Sequence, residues 1–417
     1  MFNGNVNDAL NNHDMREMAK KRLPSWLFEF VDRGTEDEVA LRNNRAAFER
    51  IKLKTQVLVN VSKRSQEITL FGKKHGMPLG IAPTGPAGML YYKGELELAR
   101  AAKAANIPFT LATGSQTSME DVAKLVGGTL WFQLYMWSDV RMSHVLVERA
   151  KNAGFEALVV TVDGPVGTNR EYNVRNGYTV PFRYTAKNTL PVLARPGWLL
   201  NVIMRYWMSG GMPTRANYPE GMTEKFTHVS NAERKTKNDS LSWDDLSVLR
   251  DMWPGKLLVK GILTPRDAER AIAHGADGII VSNHGGRNFD SSMAPIEALA
   301  PIVDAVGSRT TVIVDSGFRR GSDVVKALAL GAKMVLIGRS TLYGTAAAGE
   351  AGAKRALDLY RGEISCAMAQ IACNRVSEIG PEHVAYQYEL RMGKQPAQPE
   401  VPSRGMLNVQ PLFAAQE

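Results

Sequence analysis

The sequence predicts an α/β fold, a single closed (β/α)8 barrel, on three observations. Eight short apolar runs rich in β-branched residues follow one another from Met77 onward; each is followed by a segment of helical periodicity; and every run ends in polar or small residues. Runs without polar alternation are what strands covered on both faces look like, as in a parallel sheet wrapped by helices. An open doubly wound sheet would alternate in the same way, but no G-x-G-x-x-G follows an early strand, which disfavours a dinucleotide-binding sheet.

In chain order, residues 1–76 read as a helical preface, with helices over 7–22, 26–32 (ending at Gly34) and 36–48. The barrel runs are PLGIAPTG (78–85), PFTLATG (108–114), TLWFQLY (129–135), ALVVTVDG (157–164), KLLVKG (256–261), GIIVSNHGG (278–286), TVIVDSG (311–317) and MVLIGRS (334–340). Two or three helices are expected after Tyr343. This gives a preface (1–76), a barrel (77–390) with a basic insertion at 172–235, and an irregular tail (391–417) marked by prolines. The insertion falls in the connection between runs four and five, which is about 90 residues long, far beyond an ordinary βα loop and helix.

With 417 residues, 44% hydrophobic and 22% charged, the composition is that of a globular protein and excludes disorder. The formal charge of +9 favours an anionic partner, and its location narrows the choice. From Tyr172 to Pro219 there is no acidic residue, while Arg175, Arg183, Lys187, Arg195, Arg205 and Arg215 contribute +6. Only Cys366 and Cys373 are present, so neither a disulfide framework nor a metal site is expected, and no apolar signal core or membrane span is evident.

Barrel enzymes assemble their sites at the C-terminal ends of the strands. Those ends carry Thr84 and Gly85, Thr113, Gln133 and Tyr135, Thr161 and Asp163, Lys260, Ser282 and His284, Asp315, and Gly338 with Arg339. His284 is followed by Gly285, Gly286 and Arg287, so an imidazole stands where glycines let a ligand approach, and Asp163 is available to fix its tautomer: a general base. Lys260 ends an apolar run, where an ammonium is costly unless an anion faces it. Gln133 both donates and accepts, which suits the amide edge of a ring system. DSGFRRGSD and IGRS place Arg319 and Arg339 in Gly-containing turns after strands seven and eight, where barrels bind phosphate. A non-catalytic membrane or nucleic-acid binder leaves these strand ends unexplained, and nucleic acid is not an expected partner.

The motifs MPLGIAPTG, LWFQLYM, TVDGP, LLVKGIL, GADGIIVSNHGGRNFD and VDSGFRRGSDVVKALALGA resemble the FMN-dependent L-2-hydroxy acid dehydrogenase and oxidase family, over residues 22–362 and most closely its membrane-associated dehydrogenase branch. The resemblance implies FMN as cofactor and oxidation of a lactate- or mandelate-type L-2-hydroxy acid to the 2-oxo acid. It implies that His284 is the active-site base paired with Asp163, that Arg170 and Arg287 clamp the substrate carboxylate, and that Tyr135 stands near the substrate hydroxyl. Lys260 would lie beside the flavin N1. Pro83, Thr84, Gly85, Gln133, Thr161 and Ser282, with Thr113 at the end of run two, would contact the flavin. Asp315, Gly317, Arg319, Gly338 and Arg339 would hold the ribityl chain and phosphate.

Two departures stand out: Phe30 occupies the place of a tyrosine that usually binds the carboxylate, and Ala112 that of a serine near the flavin. Gly85 matches a position that is glycine in mandelate dehydrogenase-like members, which favours a quinone or other membrane acceptor over O2. A soluble oxidase or a flavin-dependent isomerase is the alternative. The stretch RPGWLLNVIMRYWMSGGM combines aliphatic and aromatic residues with flanking arginines, so residues 184–215 are expected to meet an anionic membrane surface on its cytoplasmic side. The family also implies a homotetramer.

Overall fold

The computed structural model describes residues 5–178, 184–212, 214–218 and 238–387. All eight runs are strands of one closed parallel barrel: β1 Leu79–Ile81, β2 Phe109–Ala112, β3 Leu130–Leu134, β4 Ala157–Thr161, β5 Lys256–Ile262, β6 Gly278–Val281, β7 Thr311–Val314 and β8 Met334–Ile337. Each pairs with its sequence neighbours, and β8 closes on β1 through Val335↔Leu79 to Ile337↔Ile81.

Two apolar layers hold the barrel. Alternate strand residues face its axis, where Trp131, Val159, Leu258, Ile280, Ile313, Met334 and Leu336 interlock, while the intervening residues pack outward against the helices. A hairpin, Ile68–Leu70 paired with Lys73–His75, closes the N-terminal end, placing Leu70 in the inner layer and Phe71 6.3 Å from Trp131. The opposite end is left open for a site.

Before the barrel stand α1 (Asn12–Arg22), α2 (Ser25–Asp32) and α3 (Val39–Glu49). The expected helix over 7–22 is two pieces: a short 3-10 turn ends at Asp8, and the Asn11 side chain accepts from the backbone N–H groups of His13 and Asp14, starting α1 there. α2 matters most for the site, because its C-terminal end hangs over the barrel mouth. Arg16 forks onto Asp32, and the Tyr343 hydroxyl donates to the same carboxylate at 2.6 Å. After β8 the segment α4 (Arg339–Gln370) is two helical pieces separated by a non-helical break at Ala348–Gly349, in keeping with the separate helices expected past Tyr343.

The insertion is pinned at buried points. Trp198 donates to the Met89 carbonyl, Asn188 to the Gly177 carbonyl, and Asn217, fully buried, bonds Ser115, Thr117 and Met119. Between these anchors Leu190, Leu193, Leu200, Trp207 and Met208 are exposed. Residues 1–4, 179–183, 213, 219–237 and 388–417 lie outside the described residues, and with them Arg183, the rest of the insertion and the expected tail. Among the described residues no helix is long and apolar enough to cross a membrane.

Candidate active site

The axial set of side chains turns polar at the open end. Gln133 follows Trp131, Thr161 follows Val159, Lys260 follows Leu258, Ser282 follows Ile280 and Asp315 follows Ile313, each two residues on and therefore on the same inward face. These five, all buried, form a polar layer over the apolar core. Lys260 Nζ donates to Ser282 Oγ at 2.9 Å and lies 3.4 Å from Asp315 and 4.0 Å from Asp163. Burial works against its charge, but Asp315 and then Asp163 outweigh it and hold its pKa above the ordinary lysine value.

Above that layer stands His284, in a left-handed backbone conformation (φ 58°). Its Nδ1 meets Asp163 Oδ1 at 2.9 Å and its Nε2 lies 3.2 Å from the Tyr135 hydroxyl. Asn288 donates to Asp163 at both the backbone and side-chain oxygens, holding the carboxylate in place. Burial alone would raise the Asp163 pKa, yet the charges of His284 and Lys260 bring it down to about 2. The imidazole moves the other way: burial, with Lys260 adding to it, lowers its pKa against the pull of Asp163. A neutral imidazole with Nδ1–H on the carboxylate and its Nε2 lone pair turned to the Tyr135 hydroxyl is a proton acceptor at neutral pH. Burial and then Asp163 push the Tyr135 phenol up to about 12, so it stays protonated.

A cavity of about 320 Å³ opens over these groups. Pro83, Thr84, Gly85, Gln133, Tyr135, Lys260, His284, Asp315, Gly317, Arg319, Gly338 and Arg339 line it, as do Phe30, Arg170 and Arg287. Burial and then Arg170 push the Arg287 guanidinium down to about 10, and burial followed by Arg287 does the same to Arg339. All three guanidinium-bearing residues line the same cavity.

Four expected residues are not in that lining. Thr113 is on the outward parity of β2, and its hydroxyl donates to the Gln133 carbonyl at 2.6 Å, which locks β2 to β3. Asp163 stands behind His284. Ser282 lies beneath Lys260 and also accepts from the His284 N–H. Thr161 opens instead onto a second, larger cavity beside the first. Arg339 lines the cavity, but its guanidinium donates to the carbonyls of Val31, Arg33 and Gly285 at 2.9–3.0 Å, so it caps the end of α2. Arg287 shares this work, donating to the Arg33 carbonyl at 2.8 Å and covering the Phe30 ring at 5.2 Å.

Further groups appear that the strand-end reading did not single out. Ser316, at φ 74°, accepts from Gly285 N–H and donates to Asp315. Tyr178, Arg215 and Tyr218 reach the cavity from the insertion, Tyr178 stacking on Trp26 and packing 4.9 Å from Phe30. Gly317 is required by its backbone: at φ 84°, a Cβ there would sit 2.4 Å from the Asn44 carbonyl oxygen. No cluster of His, Cys, Asp and Glu fit to hold a metal occurs among the described residues.

Residues 19–386 match the family model described as FMN-dependent dehydrogenase. The chain is 43% identical over 377 residues to (S)-mandelate dehydrogenase of Pseudomonas putida, covering 90% of this chain and 94% of that one. It is 40% identical over 377 residues to an L-lactate dehydrogenase of Pseudomonas syringae pv. syringae, covering 88% and 96%. Among solved structures it is similar to the monotopic membrane protein (S)-mandelate dehydrogenase, with a TM-score of 0.86 and 42% identity over 91% of this chain and 100% of that one. A mandelate oxidase variant with (S)-mandelic acid gives a TM-score of 0.76 at 34% identity, over 90% of this chain and 98% of that one.

Proposed function

The chain belongs to the FMN-dependent dehydrogenase family, and from that premise we propose that it oxidises an L-2-hydroxy acid of the lactate or mandelate type to the 2-oxo acid. The observation that carries the reading is the meeting of a carboxylate-held imidazole, two repelling guanidinium groups and a buried ammonium around one cavity.

The residues present fit FMN. Gln133 Nε2 and Thr161 Oγ1 are buried with no hydrogen-bond partner among the described residues, and both belong to the polar layer where a ring with amide edges would lie. Lys260 brings a positive charge to the same layer, and Arg319 with the Gly338 turn at the start of α4 offers donors for a phosphate. Bound FMN supplies the two-electron acceptor.

The chain's own groups then have distinct tasks. Arg170 and Arg287 bind the substrate carboxylate and set which face of the acid meets the ring. His284 Nε2 removes a proton from the substrate, and Asp163 stabilises the imidazolium that results. The Tyr135 phenol, protonated at any working pH, hydrogen-bonds the substrate oxygen. Lys260, held by Asp315 and Ser282, compensates negative charge that develops beneath the substrate. Phe30 supplies an apolar wall without a hydroxyl.

For reoxidation we propose a quinone or other membrane acceptor, reached by peripheral attachment at the cytoplasmic face. The exposed Leu190, Leu193, Leu200, Trp207 and Met208, flanked by Arg195 and Arg205, support this. The proposed quaternary state is a homotetramer, to be read by light scattering. Carbonate-wash fractionation tests attachment: recovery wholly in the soluble fraction, with no vesicle binding, overturns it. The chemistry is tested by an absorbance spectrum followed by anaerobic titration with lactate, mandelate and longer 2-hydroxy acids. A flavin spectrum bleached by one of them is expected, and a flavin that none bleaches overturns the reading.

A further inference from the structure

The ends of β6 and β7 are joined by a closed ring of hydrogen bonds around the base. His284, Gly285 and Gly286 take positive φ in succession, 58°, 69° and 70°, and of the three only the histidine has a Cβ to strain there. Its N–H donates to Ser282 Oγ at 3.0 Å, and the next N–H, that of Gly285, donates to Ser316 Oγ at 2.9 Å. Ser316, itself at φ 74°, donates its hydroxyl proton to Asp315 Oδ1 at 2.7 Å. Asp315 Oδ2 faces Lys260 Nζ at 3.4 Å, and Lys260 donates to Ser282 Oγ at 2.9 Å, which closes the ring. Ser282, Lys260 and Asp315 are buried, while Ser316 lines the cavity. On its far side the Gly285 carbonyl accepts from Arg339 at 2.9 Å, so this one peptide is held from both directions.

We propose that Ser316 is a positioning residue that couples the base to the ammonium: through Gly285 it keeps His284 in the left-handed turn, and through Asp315 it sets how much of the Lys260 charge is left for the flavin. This rests on the function proposed above and adds a residue to its machinery. A hydroxyl has a single proton to donate. Given to Asp315, it leaves the oxygen with lone pairs alone for the Gly285 N–H, and the carboxylate polarises the O–H and makes that oxygen a stronger acceptor. When negative charge develops above Lys260, the ammonium is shared, Asp315 draws harder on Ser316, and Ser316 grips Gly285 more tightly, so the base is held most firmly in the transition state. Ser282 reaches only the loop of its own strand. Ser316 comes from the neighbouring strand and makes the link across the barrel mouth.

The test uses the FMN-loaded full chain and two variants: Ser316→Ala, which keeps the backbone demand and removes the hydroxyl, and Ser316→Gly, which removes the hydroxyl and also frees the positive φ. The loop is expected to stay folded in both, because the Gly286 N–H is held separately by Asn283, itself paired with the buried Asn44. With substrate, kcat is expected to fall about tenfold while KM stays within about twofold, since Arg170 and Arg287 are untouched. Without substrate, a bare Asp315 draws Lys260 more fully to itself. The variants should then favour reduced over oxidised FMN about fivefold less than the wild type does, a midpoint potential about 20 mV lower by dye-linked titration. Support requires both shifts in both variants. A potential that moves while kcat holds, or a kcat that falls while the potential holds, breaks the coupling and overturns the proposal. So does a Ser316→Gly enzyme equal to wild type, which leaves the hydroxyl without a role, or a KM that rises as far as kcat falls. If no hydroxy acid bleaches the wild-type flavin, the proposed function fails; if one does and the variants match wild type, only the Ser316 assignment fails.

Discussion

Replacing Asp163 with asparagine keeps the shape of the active site and removes one charge. The carboxylate lies 2.9 Å from His284 Nδ1, where a unit charge pair at an effective dielectric constant of about 20 attracts by on the order of 6 kcal/mol. That is the bare attraction. A charge-assisted hydrogen bond contributes a net of about 1.5 to 3 kcal/mol, and because the imidazolium exists only after proton transfer, this falls on the transition state. Loss of about 3 kcal/mol corresponds to a fall in kcat of roughly a hundredfold. KM should change little, since Arg170 and Arg287 are untouched. The pH profile separates this from general damage. Asp163 holds the His284 pKa up against burial and Lys260, so its removal lowers that pKa further. The base then remains deprotonated to lower pH, and the acid limb of kcat moves down in pH while the plateau falls. Steady-state kinetics from pH 5 to 9, with flavin content and melting temperature as controls, reads both effects. A kcat within about threefold of wild type, or an acid limb moving upward, refutes the pairing as the source of basicity.

Arg170→Lys retains a charge but loses the planar fork, so KM for the hydroxy acid should rise about tenfold or more with a smaller change in kcat; an unchanged KM places the carboxylate elsewhere. Lys260→Met leaves Asp315 and Asp163 without their shared cation. The flavin midpoint potential should then fall by about 30 mV or more, the equivalent of about 1.4 kcal/mol in a two-electron couple, as measured by dye-linked titration. Gly317→Ala forces a side chain into a left-handed position, at about 1 to 2 kcal/mol, and drives Cβ against the Asn44 carbonyl. A melting temperature lower by several degrees and weaker FMN retention should follow, measured by calorimetry and by flavin release on gel filtration.

Much of this architecture can be read from the sequence because the physics behind it is local. A strand buried on both faces must be apolar throughout, so the eight runs announce themselves, and the barrel rule then turns the last residues of each run into one site. Other features do not show in the sequence, because a backbone group decides them. Thr113 looks like any other polar strand end, but it falls on the outward parity of β2 and its hydroxyl is used by the Gln133 carbonyl. Counting parity from Trp131, Val159 and Leu258 would have separated it from Gln133, Thr161 and Lys260. Arg339 sits in a motif that signals phosphate, yet it spends its donors on carbonyls about 300 residues earlier in the chain, which no local pattern encodes. The insertion gave its charge but not its fold: Tyr178, Arg215 and Tyr218 reach the cavity because Asn188 and Asn217 are buried and hydrogen-bonded, and a single asparagine carries no such signal.

The role of α2 follows from the charge balance rather than from packing. Burial, and with it the charge of neighbouring guanidinium groups, lowers the pKa values of Arg170, Arg287 and Arg339; the carboxylate that acts on Arg339 is Asp32, already engaged by Arg16 and Tyr343, while Asp163 is engaged by His284 and Asp315 by Lys260. What offsets the remaining charge within the chain is the C-terminal end of α2, whose Val31 and Arg33 carbonyls point at the guanidinium groups with the negative pole of the helix behind them. Asp32, tied to Arg16 and Tyr343, fixes that end to α1 and α4. Phe30 therefore occupies a wall position that electrostatics, not its own side chain, determines. The residue there can vary and reshape the substrate pocket while the arginines stay where the helix end holds them, so substrate choice and carboxylate binding are separable in this fold.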